Sequence, residues 1–132
     1  MKVAIIDDER DMRLSISQWL SLSGYEPESF ASAEDALSTI SSNYPGVVVT
    51  DIKMPGMDGM QLLKKLMGQD SGLPVILITG HGDVPMAVEA MRLGAFNFLE
   101  KPFEPEDLTQ LIKLATQKRR LTLESRELRQ EL

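Results

Sequence analysis

The chain has 132 residues, of which 42% are hydrophobic, and this length predicts one globular domain. It has no cysteine and a single histidine, His81, which excludes a disulfide scaffold, a thiolate metal site and a histidine-rich zinc centre. The net charge of −6 argues against direct contact with nucleic acid. Because no apolar run approaches the roughly 20 residues of a membrane span and the amino terminus lacks a signal-peptide pattern, we expect a cytoplasmic protein without membrane contact.

Short apolar runs alternate with amphipathic segments along most of the chain. Strands are predicted at residues 3–6, 25–30, 47–49, 75–78 and 96–99. Three of these runs are continuously apolar, which is typical of a parallel sheet covered on both faces. The run at 25–30 alternates and contains Pro27, so it is predicted at a sheet edge.

The segments between the strands carry apolar faces at three- to four-residue spacing. The predicted faces are Met12, Ile16, Trp19 and Leu20; Ala33, Ala36, Leu37 and Ile40; Leu62, Leu63, Leu66 and Met67; and Val84, Ala87, Val88 and Met91. Capping boxes are predicted at Ser32 and Asp58, while Gly56 and Gly59 are expected to supply turn geometry. Five βα units predict an α/β fold, a flavodoxin-like doubly wound five-stranded parallel sheet in the order 2-1-3-4-5.

The last helix is predicted to extend beyond the domain. A heptad rhythm continues through positions 111, 114, 118, 121, 125, 128 and 132, with leucine at all but Lys118 and Ser125. We therefore expect a domain at residues 1–117 and a coiled-coil linker helix at 118–132, with a solvated, fraying helix as the alternative. Since neither Gly nor Pro ends this helix before Leu132, the chain is expected to continue toward a further module.

Polar residues stand where the predicted strands end: Asp7 and Asp8, Asp51, Thr79 and Lys101. The carboxyl ends of parallel strands meet at one edge of the sheet, where ligands bind in such folds. Three carboxylates brought together there would repel one another, and a Mg²⁺ ion relieves that repulsion. The alternative is that the acids only cap helix N-termini.

The neighbouring Lys101 and Thr79 extend this interpretation to phosphoryl chemistry. An ammonium group and a hydroxyl beside a metal ion can hold phosphoryl oxygens. Asp51, which follows the central strand, is the candidate nucleophile and would form an aspartyl phosphate.

Four motifs in order resemble the receiver domain of two-component response regulators, over residues 1 to about 117. They are Asp7-Asp8-Glu9, residues 51–59 (DIKMPGMDG), Thr79-Gly80 and Lys101-Pro102-Phe103. The run at 80–91 resembles the sigma-54-dependent activators, especially the C4-dicarboxylate transport regulators, and also nitrogen-fixation regulators with helix-turn-helix outputs. The leucine-bearing tail resembles the linker before the AAA+ ATPase module of the first group, which we prefer.

The resemblance implies a CheY-like fold in which Asp51 accepts a phosphoryl group from a sensor histidine kinase. It implies that Asp8 and Asp51 ligate Mg²⁺, that Asp7 does so directly or through water, and that the Lys53 backbone carbonyl is a further ligand. The chain is then not an enzyme beyond self-phosphorylation and slow self-dephosphorylation at Asp51.

For the remaining residues, the resemblance implies that Lys101 pairs with the phosphoryl group and that its peptide bond to Pro102 is cis. Thr79 is implied to move toward the phosphoryl group, with Phe98 as the aromatic that rotates with it. We expect phosphorylation to switch the arrangement of a homodimer formed through the tail and the face of the fourth helix, fifth strand and fifth helix.

Two other functions share parts of this pattern. A haloacid-dehalogenase-like phosphatase would need Asp-x-Asp on its first strand, whereas Asp7 and Asp8 are adjacent and Lys53 stands two residues after Asp51. A flavin or nucleotide module would need a Gly- or hydroxyl-rich loop after the first strand, where this chain is acidic. A phosphorylation-independent scaffold is a third alternative.

Overall fold

The structure, a computed structural model, describes residues 1–80 and 83–131. Its strands are β1 (Lys2–Ile6), β2 (Glu26–Phe30), β3 (Gly46–Asp51), β4 (Val75–Thr79) and β5 (Asn97–Glu100). Its helices are α1 (Arg10–Leu22), α2 (Ala33–Thr39), α3 (Gly59–Gln69), α4 (Val84–Arg92) and α5 (Pro105–Glu131).

The strands form one parallel sheet in the order β2-β1-β3-β4-β5, which confirms the predicted fold class and the edge position of β2. Every residue of the central strand β3 is buried. The register pairs Ile6 with Thr50, so the next residues along β1 and β3, Asp7 and Asp51, lie at the same level of the sheet. The sheet thereby brings together two acidic residues that are far apart in the sequence.

Helices cover both faces of the sheet. Buried residues of α2, α3 and α4 pack with one face, and those of α1 and α5 pack with the other. Burial on both faces explains why the inner strands are continuous apolar runs instead of alternating ones.

The predicted apolar face of α4 is wrong in part. Ala87 is buried as expected, but the second buried residue is Ala90, and Val84, Val88 and Met91 are exposed. The residues of α4 that face the sheet are alanines, because a small side chain lets this short helix lie close to the strands. The larger apolar side chains of α4 therefore form a surface patch.

The amino end of α3 packs directly against the end of β3. Asp58 and Gln61 form the predicted capping box, and Gly56 has the expected left-handed backbone, with φ of +73°. Gly59 serves a different purpose from the predicted turn geometry. A Cβ atom there would overlap the Asp51 carbonyl oxygen, so glycine is required because two backbone segments approach each other closely.

Helix α5 runs from the carboxyl edge of the sheet past its amino edge. Leu108, Ile112 and Ala115 are buried against the domain, as predicted, whereas Leu114 and Leu121 are exposed. None of the helices within residues 1–80 and 83–131 combines the length and the apolar composition that a membrane-spanning segment needs.

Two glycines of α3 give a matched test of this packing. Gly59→Ala is expected to lower the free energy of unfolding by about 1–3 kcal/mol, because the new methyl group meets backbone atoms that cannot easily move. Gly68→Ala, in the same helix with open space around it, is expected to raise it by about 0.5–1 kcal/mol. Urea unfolding of both variants makes the comparison, and equal stability of the two would contradict it.

Candidate functional site

Three carboxylates converge at the carboxyl edge of the sheet. One ligand oxygen from each of Asp7, Asp8 and Asp51 lies within 4.8 Å of the others. Asp7 is 1% exposed and Asp51 is 8% exposed, whereas Asp8 is open to solvent. The sheet thus collects the three acids that the strand ends predicted.

Asp7 is held by its own loop and is incompletely paired. Its Oδ1 accepts a hydrogen bond from the Glu9 backbone N–H at 2.9 Å, and Arg13 donates to its carbonyl oxygen at 2.7 Å. Its buried Oδ2 has no hydrogen-bond partner among the described residues. Burial raises the pKa of Asp7 above its ordinary value, and the nearby Asp51 carboxylate raises it further.

A buried carboxylate oxygen without a partner, beside two more carboxylates, fits a divalent cation with oxygen ligands. The donor set contains only hard oxygen atoms, which suits Mg²⁺. The residues present therefore fit the metal that the sequence predicted.

Lys101 places a positive charge on the phosphoacceptor candidate. Its Nζ lies 3.2 Å from Oδ2 of Asp51, and its backbone N–H donates to the Thr79 carbonyl oxygen at 2.9 Å. The peptide bond between Lys101 and Pro102 is cis, which confirms the expectation. The loop after β5 is thus fixed on the end of β4.

Thr79 and Phe98 share one face of the sheet. Phe98 pairs in register with Leu77, and Thr79 lies two residues farther along the same strand, so all three side chains point to the same side. Thr79 is buried and Phe98 is half-buried against the cluster that includes α3 and α4. The strand geometry puts a hydroxyl residue and an aromatic residue side by side next to the carboxylates.

Sequence reasoning missed one ion pair at the rim of the site. The Lys53 ammonium lies 3.4 Å from Oδ2 of Asp83 and so connects the loops that follow β3 and β4. Its only sequence signal was the position of Asp83 just before α4. His81, considered as a possible contact for an incoming phosphodonor, lies outside the described residues.

A mostly apolar cavity of about 490 Å³ opens beside Lys101. Its lining residues are Met12, Trp19, Gly80, Lys101, Pro102 and Phe103. Trp19 and Phe103 meet edge to face, with ring centroids 6.2 Å apart. The single tryptophan of the chain is therefore a spectroscopic reporter close to the site.

The arrangement combines an acidic cup of two buried carboxylates and one exposed carboxylate, an ammonium group and a hydroxyl on adjacent strand ends of a doubly wound sheet. Residues 3–113 match the response regulator receiver domain family. The chain belongs to this family, which confirms the class that the four motifs indicated. Receiver domains generally bind Mg²⁺ at an acidic pocket, and the cluster of Asp7, Asp8 and Asp51 is such a pocket.

Among curated proteins, the chain is 50% identical over 127 residues to the C4-dicarboxylate transport transcriptional regulatory protein DctD of Rhizobium meliloti. That match covers 96% of the chain and 28% of DctD. It is 46% identical over 113 residues to the transcriptional regulatory protein FixJ of Bradyrhizobium diazoefficiens, covering 86% of the chain and 55% of FixJ. The chain thus spans between about a quarter and about half of these relatives.

Solved structures agree with this assignment. Full-length FixJ from B. japonicum superposes with a TM-score of 0.81 at 43% identity, covering 98% of the chain and 64% of FixJ. A response regulator receiver domain protein from Clostridium thermocellum has a TM-score of 0.82 at 33% identity, with 92% and 98% covered.

The raised pKa of Asp7 predicts that removal of its charge increases the stability of the fold in a pH-dependent way. Since the folded-state pKa is raised, ionising Asp7 destabilises the fold as pH rises above about 4, the value for an unfolded aspartate. Asp7→Asn should therefore raise the free energy of unfolding in metal-free buffer at neutral pH by roughly 1 kcal/mol, and the gain should vanish in acid below that pH.

The control is Asp11→Asn, which neutralises an exposed aspartate in the first turn of α1 and should give no such gain. Urea titrations at several pH values would contradict the interpretation if Asp7→Asn were no more stable than Asp11→Asn at neutral pH.

Proposed function

We propose that this chain is the phosphoacceptor receiver domain of a cytoplasmic transcriptional response regulator, in which Asp51 accepts a phosphoryl group from a sensor histidine kinase. The observation that carries the proposal is the 3.2 Å contact between Lys101 Nζ and Asp51 Oδ2 at the edge of the three-carboxylate cup. That contact puts a positive charge where the oxygens of a phosphorylated Asp51 would need one.

Asp8 and Asp51 would hold Mg²⁺ directly, Asp7 directly or through water, and the Lys53 backbone carbonyl would complete the protein ligands. When bound, the ion neutralises charge on the carboxylates and on the phosphoryl oxygens. This assignment gives the unpartnered Oδ2 of Asp7 a counter-charge.

In the transfer, a carboxylate oxygen of Asp51 forms a bond to phosphorus as the bond from phosphorus to the kinase histidine breaks. Lys101 stabilises the transferred negative charge, and the Thr79 hydroxyl donates to a phosphoryl oxygen. Slow attack of water on the same phosphorus returns Asp51 and inorganic phosphate. Self-phosphorylation and self-dephosphorylation are then the only reactions of the domain.

Asp51→Asn tests the acceptor directly. Incubation with acetyl phosphate and Mg²⁺ should add the mass of one phosphoryl group to the parent chain and none to Asp51→Asn, because an amide is not a nucleophile of this kind. Asp11→Asn, which removes an exposed carboxylate in the first turn of α1, should be labelled like the parent. Intact-mass spectrometry decides, and equal labelling of the Asp51 variant would overturn the assignment.

The output of the switch is proposed to be a homodimer rearrangement that controls a sigma-54-activating AAA+ module. Two exposed apolar surfaces support a dimer: the α4 patch of Val84, Val88 and Met91, and the row of Leu114, Leu121 and Leu128 on α5. Leucines seven residues apart on one face of a helix are the pattern of a coiled-coil seam. Movement of Thr79 and Phe98 would change the face formed by α4, β5 and α5, from which this seam continues.

The second candidate is a helix-turn-helix output, which the resemblance of residues 80–91 to nitrogen-fixation regulators implies. The match to DctD favours the first, because its identity is 50% over 127 residues against 46% over 113 residues for FixJ.

Substitutions in the leucine row test the dimer. The double variant Leu121→Lys with Leu128→Lys should shift the chain toward monomer in sedimentation equilibrium, since it places like charges in the seam. Leu22→Lys is the control, because Leu22 is 88% exposed but lies on α1, outside the proposed interface. A parent chain that is monomeric both with and without beryllofluoride and Mg²⁺ would contradict the dimer.

A further inference from the structure

A polar cluster fastens the outgoing helix to the amino edge of the sheet, opposite the carboxylate cup. Arg119 of α5 is completely buried, with a relative exposure of 0%. Its Nε donates to the Tyr44 carbonyl oxygen at 3.0 Å and its Nη2 to Oδ2 of Asp70 at 2.8 Å. A buried arginine is costly unless it is paired, so these contacts constrain the helix strongly.

Arg126, two turns farther along α5, binds the same carboxylate with both arms of its guanidinium. Its Nη2 lies 2.7 Å from Oδ1 of Asp70 and its Nη1 lies 3.2 Å from Oδ2. Nη1 also donates to Oδ1 of Asn43 at 2.7 Å. A bidentate ion pair of this kind fixes the orientation of the guanidinium as well as its distance from the carboxylate.

Two backbone N–H groups hold the Asp70 carboxylate in addition to the two arginines. The backbone N–H groups of Asn43 and Gly72 donate to its carboxylate at 3.2 and 3.1 Å. Arg126, and then Arg119, hold the pKa of Asp70 well below its ordinary value. The carboxylate therefore stays charged throughout the neutral range, and the cluster persists there.

Helix α3 connects this cluster to the candidate phosphoacceptor. At its amino end, Gly59 packs against the Asp51 carbonyl and donates its N–H to the Ile52 carbonyl at 2.8 Å. At its carboxyl end, Asp70 is the capping residue and donates its N–H to the Leu66 carbonyl at 2.8 Å. One rigid helix thus has the site at one end and the cluster at the other.

We propose that Asp70, Arg119 and Arg126 form a clamp that fixes the direction in which α5 leaves the domain, and that α3 links this clamp to the loop after Asp51. The clamp occupies the face of α5 opposite the exposed leucines, so it holds Leu121 and Leu128 outward, toward a second copy. Its linkage to phosphorylation rests on the proposed function, whereas its effect on helix direction does not.

The first test measures the direction of α5 relative to α3 within one chain. Because the chain has no cysteine, Lys65→Cys on α3 and Gln130→Cys on α5 give two specific sites for spin labels, both exposed. Dilution with unlabelled parent isolates the intramolecular distance in pulsed electron paramagnetic resonance. We expect a narrow distance distribution in the parent and a clearly broadened one in Arg126→Ala.

Arg129→Ala is the matched control, since it removes an exposed arginine one turn beyond Arg126 on the same helix. Arg126→Lys keeps the charge but loses the two-pronged geometry, so it should broaden the distribution in part even if Arg126→Ala proves poorly folded. A distribution in Arg126→Ala and Arg126→Lys as narrow as in the parent would overturn the clamp.

The second test asks whether the site and the clamp are coupled. Hydrogen exchange is followed at the backbone amides of residues 119–126, with and without Mg²⁺ and beryllofluoride as the phosphoryl mimic. The parent is expected to change its exchange rates there on addition of the mimic, by about threefold or more. Arg126→Ala should lose that change while the amides around Thr79 and Lys101 still respond.

The outcomes separate the two proposals. If the amides around Thr79 and Lys101 do not respond in the parent, the proposed function fails, whatever the tail does. If they respond but residues 119–126 change equally in the parent and in Arg126→Ala, the link through α3 is wrong.

Discussion

Crowding of negative charge at the carboxyl edge of the sheet is the constraint on which the site depends. The register of β1 and β3 places Asp7 and Asp51 at one level, and Asp8 completes the cup. Two of the three carboxylates are buried, where mutual repulsion is poorly screened. The Glu9 backbone N–H and the Lys101 ammonium offset part of it. A divalent ion would offset the rest.

The remainder of the fold is stable enough to tolerate the repulsion among these carboxylates. The inner strands are apolar on both faces and are covered by helices on each side, so the core does not depend on the polar edge. The polar residues occupy strand ends and the loops after them, where the chain can hold strained groups without disturbing the packing. Functional sites commonly lower the stability of a fold, and this site would do so until its cation binds.

The sheet, its order and the residues that converge on the cup could be predicted because each depends on local pattern and strand order alone. Continuous apolar runs predict a parallel sheet, and strand ends predict which side chains meet. The exposed face of α4 could not be predicted in this way. Periodicity shows that Val84, Ala87 and Val88 share a helix, but the close approach that selects the alanines is a property of the packed structure.

The clamp was missed for a related reason. Arg119 and Arg126 read as solvated charges on a polar helix, and their partner Asp70 is about 50 residues away in sequence. A weak signal was present, since Arg119, Thr122 and Arg126 continue the helical stripe of Leu108, Ile112 and Ala115. Helix periodicity extends a buried face through polar residues as readily as through apolar ones when a partner lies underneath.

Two routes lead from Asp51 to α5, and they reach it at different places. One crosses the sheet through Thr79 and the β5 strand to the face that α5 shares with α4, and the other follows α3 to Asp70. A helix held at two points can tilt as a rigid body only if both contacts adjust. Because coupling between two sites is reciprocal, a tail that responds to the proposed phosphorylation would in turn alter the affinity of the carboxylate cup by the same factor. Dimerisation through the leucine row would therefore act back on the phosphoacceptor, and the domain would sense the arrangement of its own output.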